Sequence, residues 1–184
     1  VEDVVFGLHN SDRQYSVTAR LNNKTAYGWG YNINGGTGVN STLETIVVPT
    51  RLTGYAYEGV DKIHGGLHAK GNVYMEKHSE IGGGNIRKDF YTFGHRVDGL
   101  TGDGGGDGVL RSWVRVNPVN TSAEKIFVLQ GYRDISSIVD IQDYFESEWR
   151  SGNVFFVSRS ITGQYPNRLY AAGSNRRGRM GTTN

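Results

Sequence analysis

Short runs of apolar and β-branched residues recur along the chain, separated by turns rich in glycine and asparagine. Such runs are typical of half-buried strands, and the residues between them are those that tight turns favour. Three runs are predicted as lone strands and three as the first arms of hairpins. They are Val4–Phe6, Lys62–Gly65 and Ile126–Leu129, followed respectively by Tyr15–Leu21, Asn72–Lys77 and Asn153–Arg159. The pattern therefore predicts an all-β fold.

One segment departs from this pattern. Between residues 137 and 150 the apolar positions recur at steps of three to four, which predicts a short amphipathic helix. These positions are Ile138, Ile141, Tyr144, Phe145 and Trp149. The helix either packs back on its own part of the chain or contacts a partner through Tyr144 and Trp149, and the spacing fits both.

Three segments of 12 residues align without gaps, and glycines fall at the same places in each. Each begins with a tyrosine three residues before a glycine, and further glycines follow five and eight residues later. The tyrosines are Tyr27, Tyr91 and Tyr170, and the glycines are Gly30, Gly35 and Gly38, then Gly94, Gly99 and Gly102, then Gly173, Gly178 and Gly181. Repeats 64 and 79 residues apart suit units of about four strands.

The motif residues have a structural explanation. A strand that enters a tight turn needs a positive φ or a close backbone approach, and glycine supplies both. We expect the aromatic residue before the first glycine, Trp29 or Phe93, to pack between neighbouring units. A strand with a proline, Pro49-Thr-Arg-Leu52, follows the first motif.

The pattern aromatic-x-x-Gly-x-Asn-x-x-Gly-x-x-Gly resembles the regulator-of-chromosome-condensation repeat. The stretch from Trp29 to Gly35 matches best, while the second copy reads Gly94-His95-Arg96 and lacks the usual asparagine. The resemblance implies a β-propeller of roughly six or seven blades, of which this chain supplies about two and a half to three four-stranded blades. We divide them into residues 1–59, 60–122 and 123–184, the last incomplete.

An incomplete propeller would leave unpaired strand edges, which native proteins avoid. We therefore expect the remaining blades, or other subunits of an assembly, to complete the structure.

Composition narrows the functional classes. Glycine supplies 27 of 184 residues and cysteine none, so disulfides and thiolate metal sites are excluded. A net charge of +2 gives no reason to expect nucleic acid. No apolar run reaches the length of a membrane span, so we expect no membrane insertion.

Candidate chemistry is sparse, and we expect no metal, no cofactor and no enzymatic activity. The sequence has no nucleophile elbow, no phosphate-binding loop and no zinc-protease motif. The segment from Asp98 to Gly108 is the one candidate metal site, because Asp103 and Asp107 are potential calcium ligands. Basic residues near the C-terminus are candidates for binding a partner: Arg176, Arg177 and Arg179.

Two functions remain open. A binding or structural module of a virion, such as a phage tail or fibre, or of a cell surface fits the composition. Its partner would be a protein or a surface glycan. The alternative, implied by the resemblance, is an intracellular interaction propeller, either a small-GTPase exchange factor or a chromatin-binding module.

Overall fold

The computed structural model describes residues 1–9, 14–65, 72–80, 86–96, 108–116, 126–128, 138–148, 151–158 and 168–173. Within these ranges the chain forms twelve strands and a single 3-10 turn, Tyr55–Tyr57. All pairings between strands are antiparallel. The predicted all-β class is confirmed for this part of the chain.

The first unit is a meander of four strands, β1 (Asp3–Leu8), β2 (Tyr15–Arg20), β3 (Ala26–Tyr31) and β4 (Thr45–Arg51). The tight turn between β2 and β3 is closed by the amide of residue 21, which donates to the carbonyl of residue 25 at 2.9 Å. Lys24 has a positive φ of 62° in this turn.

The second unit repeats this meander with β5 (Lys62–Gly65), β6 (Val73–Glu80), β7 (Ile86–His95) and β8 (Val109–Arg115). The pairing of β7 with β8 copies that of β3 with β4 at an offset of 64 residues, pair by pair, and includes the irregularity before the first motif glycine. The repeat seen in the glycines is therefore also a repeat of strand register.

The third unit contains β9 (Ile126–Val128), β10 (Ile138–Glu148), β11 (Ser151–Ser158) and β12 (Arg168–Gly173). Its strand order is β10-β11-β12-β9. Two predictions are wrong here. The segment predicted as an amphipathic helix forms β10, because it pairs with β11 along its length. The run that begins at Ile126 does not precede the hairpin in the sheet, since β9 pairs with β12.

The units are joined in different ways. The first two units share a core. The third is joined to the second by the antiparallel pairing of β10 with β7, in which Ile138 lies opposite Lys88. The described sheets do not close into a ring.

The core between the first two units is built mainly from aromatic and branched side chains. Its buried members are Ala26, Leu52, Ala56, Tyr57, Val60, Ile63, Val73, Met75, Tyr91 and Phe93. Tyr57 meets the edge of Phe93 with ring centroids 6.1 Å apart, and its hydroxyl donates to the carbonyl of Gly38 at 2.9 Å. Burial raises the pKa of Tyr57 to about 12.

The turn that contains Gly35 and Gly38 in the first unit, which we call the glycine turn, contacts the second unit closely. Gly38 has a φ of +69°, and an added Cβ would lie 2.9 Å from the Phe93 ring. Gly35 has a φ of +71°, and its Cβ would lie 2.2 Å from the carbonyl oxygen of Leu110. The amide of Asn40 donates to the carbonyl of Arg111 at 2.7 Å. Gly35 and Gly38 therefore need to be glycine, both for their backbone conformation and for the space that a side chain would occupy.

Candidate binding face

The first unit has an apolar sheet face on the side away from the second unit, which we call the outer face. Directly paired residues of antiparallel strands share a face of the sheet. The register places Val4 opposite Ala19 and Ala19 opposite Tyr27. In the same way, Phe6, Val17 and Trp29 form a second row. The outer face comprises Val4, Phe6, Tyr15, Val17, Ala19, Tyr27 and Trp29.

The outer face is open to solvent. Phe6 is 50% exposed and Val4 45% exposed. Val17, Tyr27 and Trp29 are half-buried, and only the small side chain of Ala19 is buried. A contiguous apolar patch of this kind on a protein surface usually marks an interaction site.

The second unit buries the same positions. The row Val4, Ala19 and Tyr27 corresponds in register to Ile63, Met75 and Tyr91, and the pair Val17 and Trp29 corresponds to Val73 and Phe93. All five residues of the second unit are at most 5% exposed. Their side chains belong to the core shared with the first unit. One face of a repeated sheet is thus covered in one unit and uncovered in the other.

A second apolar element lies beside the outer face on β4. Gly28 pairs with Thr50 and Gly30 with Ile46, so the three residues 47 to 49 are opposite Trp29 alone. Val47 is 86% exposed, and Val48 is exposed as well. Within the described residues β4 pairs only with β3 and is an edge strand.

The asparagine of the first motif holds the glycine turn in place. Asn32 is fully buried, and its side-chain amide donates to the carbonyls of Ser41 at 2.9 Å and Leu43 at 3.1 Å. Its side-chain oxygen accepts from the hydroxyl of Thr37 at 2.6 Å. In the second unit, where Arg96 stands at the position of Asn32, Asn72 instead bonds the backbone of His95 through both its side-chain amide and its side-chain oxygen.

The predicted motif residues lie at equivalent places in the first two units. Tyr27, Trp29 and Gly30 lie in β3, and Tyr91, Phe93 and Gly94 lie in β7. Gly30 and Gly94 have φ values of +96° and +119°, and an added Cβ would approach the preceding hairpin arm within 2.5 Å. Tyr170 and Gly173 lie in β12. The remaining motif glycines, Gly99, Gly102, Gly178 and Gly181, lie outside the described residues.

The predicted partner-binding residues are not brought to this face by any described contact. Tyr144 lies in β10, in a strand and not in a helix. The others lie outside the described residues, as do the potential calcium ligands: Trp149, Arg176, Arg177, Arg179, Asp103 and Asp107. Sequence reasoning missed the outer face, although the alternation of apolar residues in β1 to β3 carries the signal.

A histidine and a serine are hydrogen bonded between the strands of the first unit. His9 Nε2 lies 2.8 Å from Ser16 Oγ, and both residues are almost fully buried. Burial, with a smaller effect of the positive charge on His95, lowers the pKa of His9 to about 4. His9 Nδ1 has no hydrogen-bond partner among the described residues. Nucleophilic catalysis needs an accessible nucleophile, whereas Ser16 is 1% exposed.

Glu76 is a buried carboxylate between two histidines in the second unit. One oxygen contacts His64 Nε2 at 2.8 Å, and the other contacts His78 Nε2. Among the described residues no group of three side chains is arranged to hold a metal.

No protein-family model matches the chain, and no curated protein sequence matches it. Within the described residues, no helix is both long and apolar enough to cross a membrane.

Proposed function

We propose that the chain is a non-catalytic binding and assembly module of the β-propeller type. We place it in a virion appendage, such as a phage tail or fibre, or in a cell-surface adhesion component. The observation that carries the proposal is the outer face, an apolar sheet surface that is uncovered in the first unit and covered in the second.

The composition supports an assembly or adhesion role. Glycine-rich turns, many tyrosines and the absence of cysteine suit a β-rich surface module, with 27 glycines and 11 tyrosines in the chain. Exposed tyrosine supplies contact area at low entropic cost for a protein or glycan partner. None of the observations on the described residues favours the intracellular alternative.

The buried polar clusters support a non-catalytic role. His9 and Ser16 are almost fully buried, and Glu76 is covered and paired with two histidines. A buried polar group that is hydrogen bonded contributes to a specific core without contact to a substrate.

Incorporation of variants into the source assembly tests the proposal. Phe6→Lys places a charge on the outer face, and Leu43→Lys places one at an exposed apolar residue outside it. We expect the Phe6→Lys chain to fold with an unchanged circular dichroism spectrum but to be absent from the purified assembly, while the Leu43→Lys chain is incorporated. Equal incorporation of both variants would refute the role of the outer face.

A further inference from the structure

His9 is a buried histidine that lies between the strands of the first unit and the glycine turn. It follows the end of β1 and is 3% exposed. The ring of Tyr31, in β3, meets it edge-on with ring centroids 5.3 Å apart. A Cβ added to Gly36 would lie 2.2 Å from His9 Cε1, so the backbone of the glycine turn lies directly against the imidazole. The site has no room for a larger or more strongly hydrated group.

The surroundings of His9 suit a neutral imidazole. Nε2 shares a hydrogen bond with Ser16 Oγ, and Nδ1 has no partner among the described residues. A protonated imidazole carries an N–H on each nitrogen, so one of these donors would be buried there without an acceptor. In the described part of the chain, the titratable groups in ring contact or electrostatic interaction with His9 are Tyr31 in β3 and His95 in β7. Neither is negatively charged at acidic pH, and a protonated His95 repels a second positive charge.

The glycine turn that covers His9 also joins the first unit to the second. Its contacts with the second unit, which we call the joint, are the pairs Gly35 and Leu110, Gly38 and Phe93, and Asn40 and Arg111. The imidazole and the second unit therefore contact the same short turn. A displacement of this turn away from His9 changes the joint directly.

The glycine turn is the element around His9 that can move most easily. Ser16 and Tyr31 lie in β2 and β3, and these strands pair with each other from Ser16 to Arg20. Residues 32 to 44 belong to no strand. Because segments outside a sheet open at a lower free energy than its paired strands, water reaches His9 with the least disruption when the turn is displaced.

We propose that His9 is an acid-sensitive switch, in which protonation of its imidazole displaces the glycine turn and opens the joint while the strands of both units stay paired. The open form, with water at the imidazole, binds a proton near the ordinary pKa of 6.5, whereas the closed form does so only near pH 4. The open form therefore gains population as the pH falls from 6.5 towards 4. The switch concerns the contact between the units and does not depend on the outer face.

Amide hydrogen exchange, resolved by residue with NMR at pH 6.5 and pH 4, tests the switch. The amide of Asn40 reports on the joint, because it donates across it to the carbonyl of Arg111. Thr18 reports on the sheet, since it is fully buried in β2, which has a paired strand on each side. After correction for the intrinsic pH dependence of exchange, we expect the protection of Asn40 to fall by about tenfold or more. At pH 4 it should lie well below that of Thr18.

Three variants identify the group that responds to acid. His9→Gln removes the titrating group but can still bond Ser16, so Asn40 should keep its protection at pH 4. Ser16→Ala is the matched control, because it removes the hydrogen bond and leaves the imidazole, and the fall should persist. His95→Gln removes the repulsion from the second unit and leaves His9 in place, so the fall should be smaller than in the unchanged chain.

Two results would overturn the switch. If Asn40 and Thr18 fell to the same protection at pH 4, acid would unfold the first unit as a whole and not open the joint. If the fall at Asn40 were as large in His9→Gln and in His95→Gln as in the unchanged chain, a different group would respond to acid. Neither result bears on the incorporation of the Phe6→Lys chain, which tests the proposed function separately.

Discussion

Replacing Gly35 with alanine tests how closely the glycine turn of the first unit packs on the second. Gly35 has a φ of +71°, and an added Cβ would lie 2.2 Å from the carbonyl oxygen of Leu110 and 2.7 Å from its carbon. Gly59 is a matched control with the same φ of +71° but nothing within 4 Å of the added atom. The two substitutions share backbone strain and differ in steric contact.

The magnitudes follow from these two terms. A left-handed backbone conformation costs an alanine about 1–2 kcal/mol, offset by about 0.4–1 kcal/mol from the smaller entropy of its unfolded chain. We therefore expect Gly59→Ala to lower the free energy of unfolding by about 1 kcal/mol. At Gly35 the carbonyl of Leu110 must also move by roughly 1 Å, and overpacking of this kind adds about 1–3 kcal/mol. Gly35→Ala should therefore cost about 2–4 kcal/mol.

Urea unfolding followed by circular dichroism and tryptophan fluorescence measures both variants. If the slope of the unfolding free energy against urea concentration is the same for both variants, their difference in stability arises in the folded state. If Gly35→Ala were within about 0.5 kcal/mol of Gly59→Ala, the close contact between the turn and Leu110 would be refuted.

Three further predictions concern buried groups. The lowered pKa of His9, about 4 instead of 6.5, means that the unfolded chain binds the proton more tightly, so stability falls as pH decreases from 6.5 towards 4. His9→Gln should remove about 3 kcal/mol of this loss of unfolding free energy, measured by comparing unfolding curves recorded at the two pH values. Ser16→Ala should keep the pH dependence of the unchanged chain. Phe93→Ala should lower the free energy of unfolding by about 3–5 kcal/mol in urea, because its ring is fully buried between the units; a loss below about 1 kcal/mol would contradict that packing. Asn32→Asp, although nearly isosteric, should reduce the melting temperature at least as much as Asn32→Ala, since it sets a carboxylate against two carbonyls. A smaller reduction would mean that these amide donors contribute little.

Much of the first two units could be predicted from the sequence. The motif glycines 64 residues apart correspond to strand pairs at the same offset, because a turn with positive φ fixes where a strand ends. The predicted strands around Val4–Phe6 and Lys62–Gly65 are present as β1 and β5.

The third unit was predicted poorly for a physical reason. Residues 139, 143 and 147 of β10 have no partner in the register with β11, so an irregularity recurs every four residues. Each extra residue shifts the alternation of the strand, and apolar side chains then recur at steps of three to four, as they do in a helix. The position of β9 beside β12 pairs distant segments, which local patterns do not encode.

The outer face could be predicted from the sequence only in part. The alternation of Val4 with Phe6, and of Tyr27 with Trp29, indicates one apolar face of a sheet. Whether that face is covered depends on which other sheet packs against it. That information comes from the register and burial of the second unit.

Hydroxyl-radical footprinting of Phe6 and Trp29 tests the central claim most directly, with exposed Tyr55 as the internal reference. The side chains are oxidised in the isolated chain and in the assembly that we propose for it. We predict that Phe6 and Trp29 are oxidised in the isolated chain and protected at least fivefold in the assembly, relative to Tyr55. Equal oxidation of Phe6 and Trp29 in both states would contradict a binding role for the outer face.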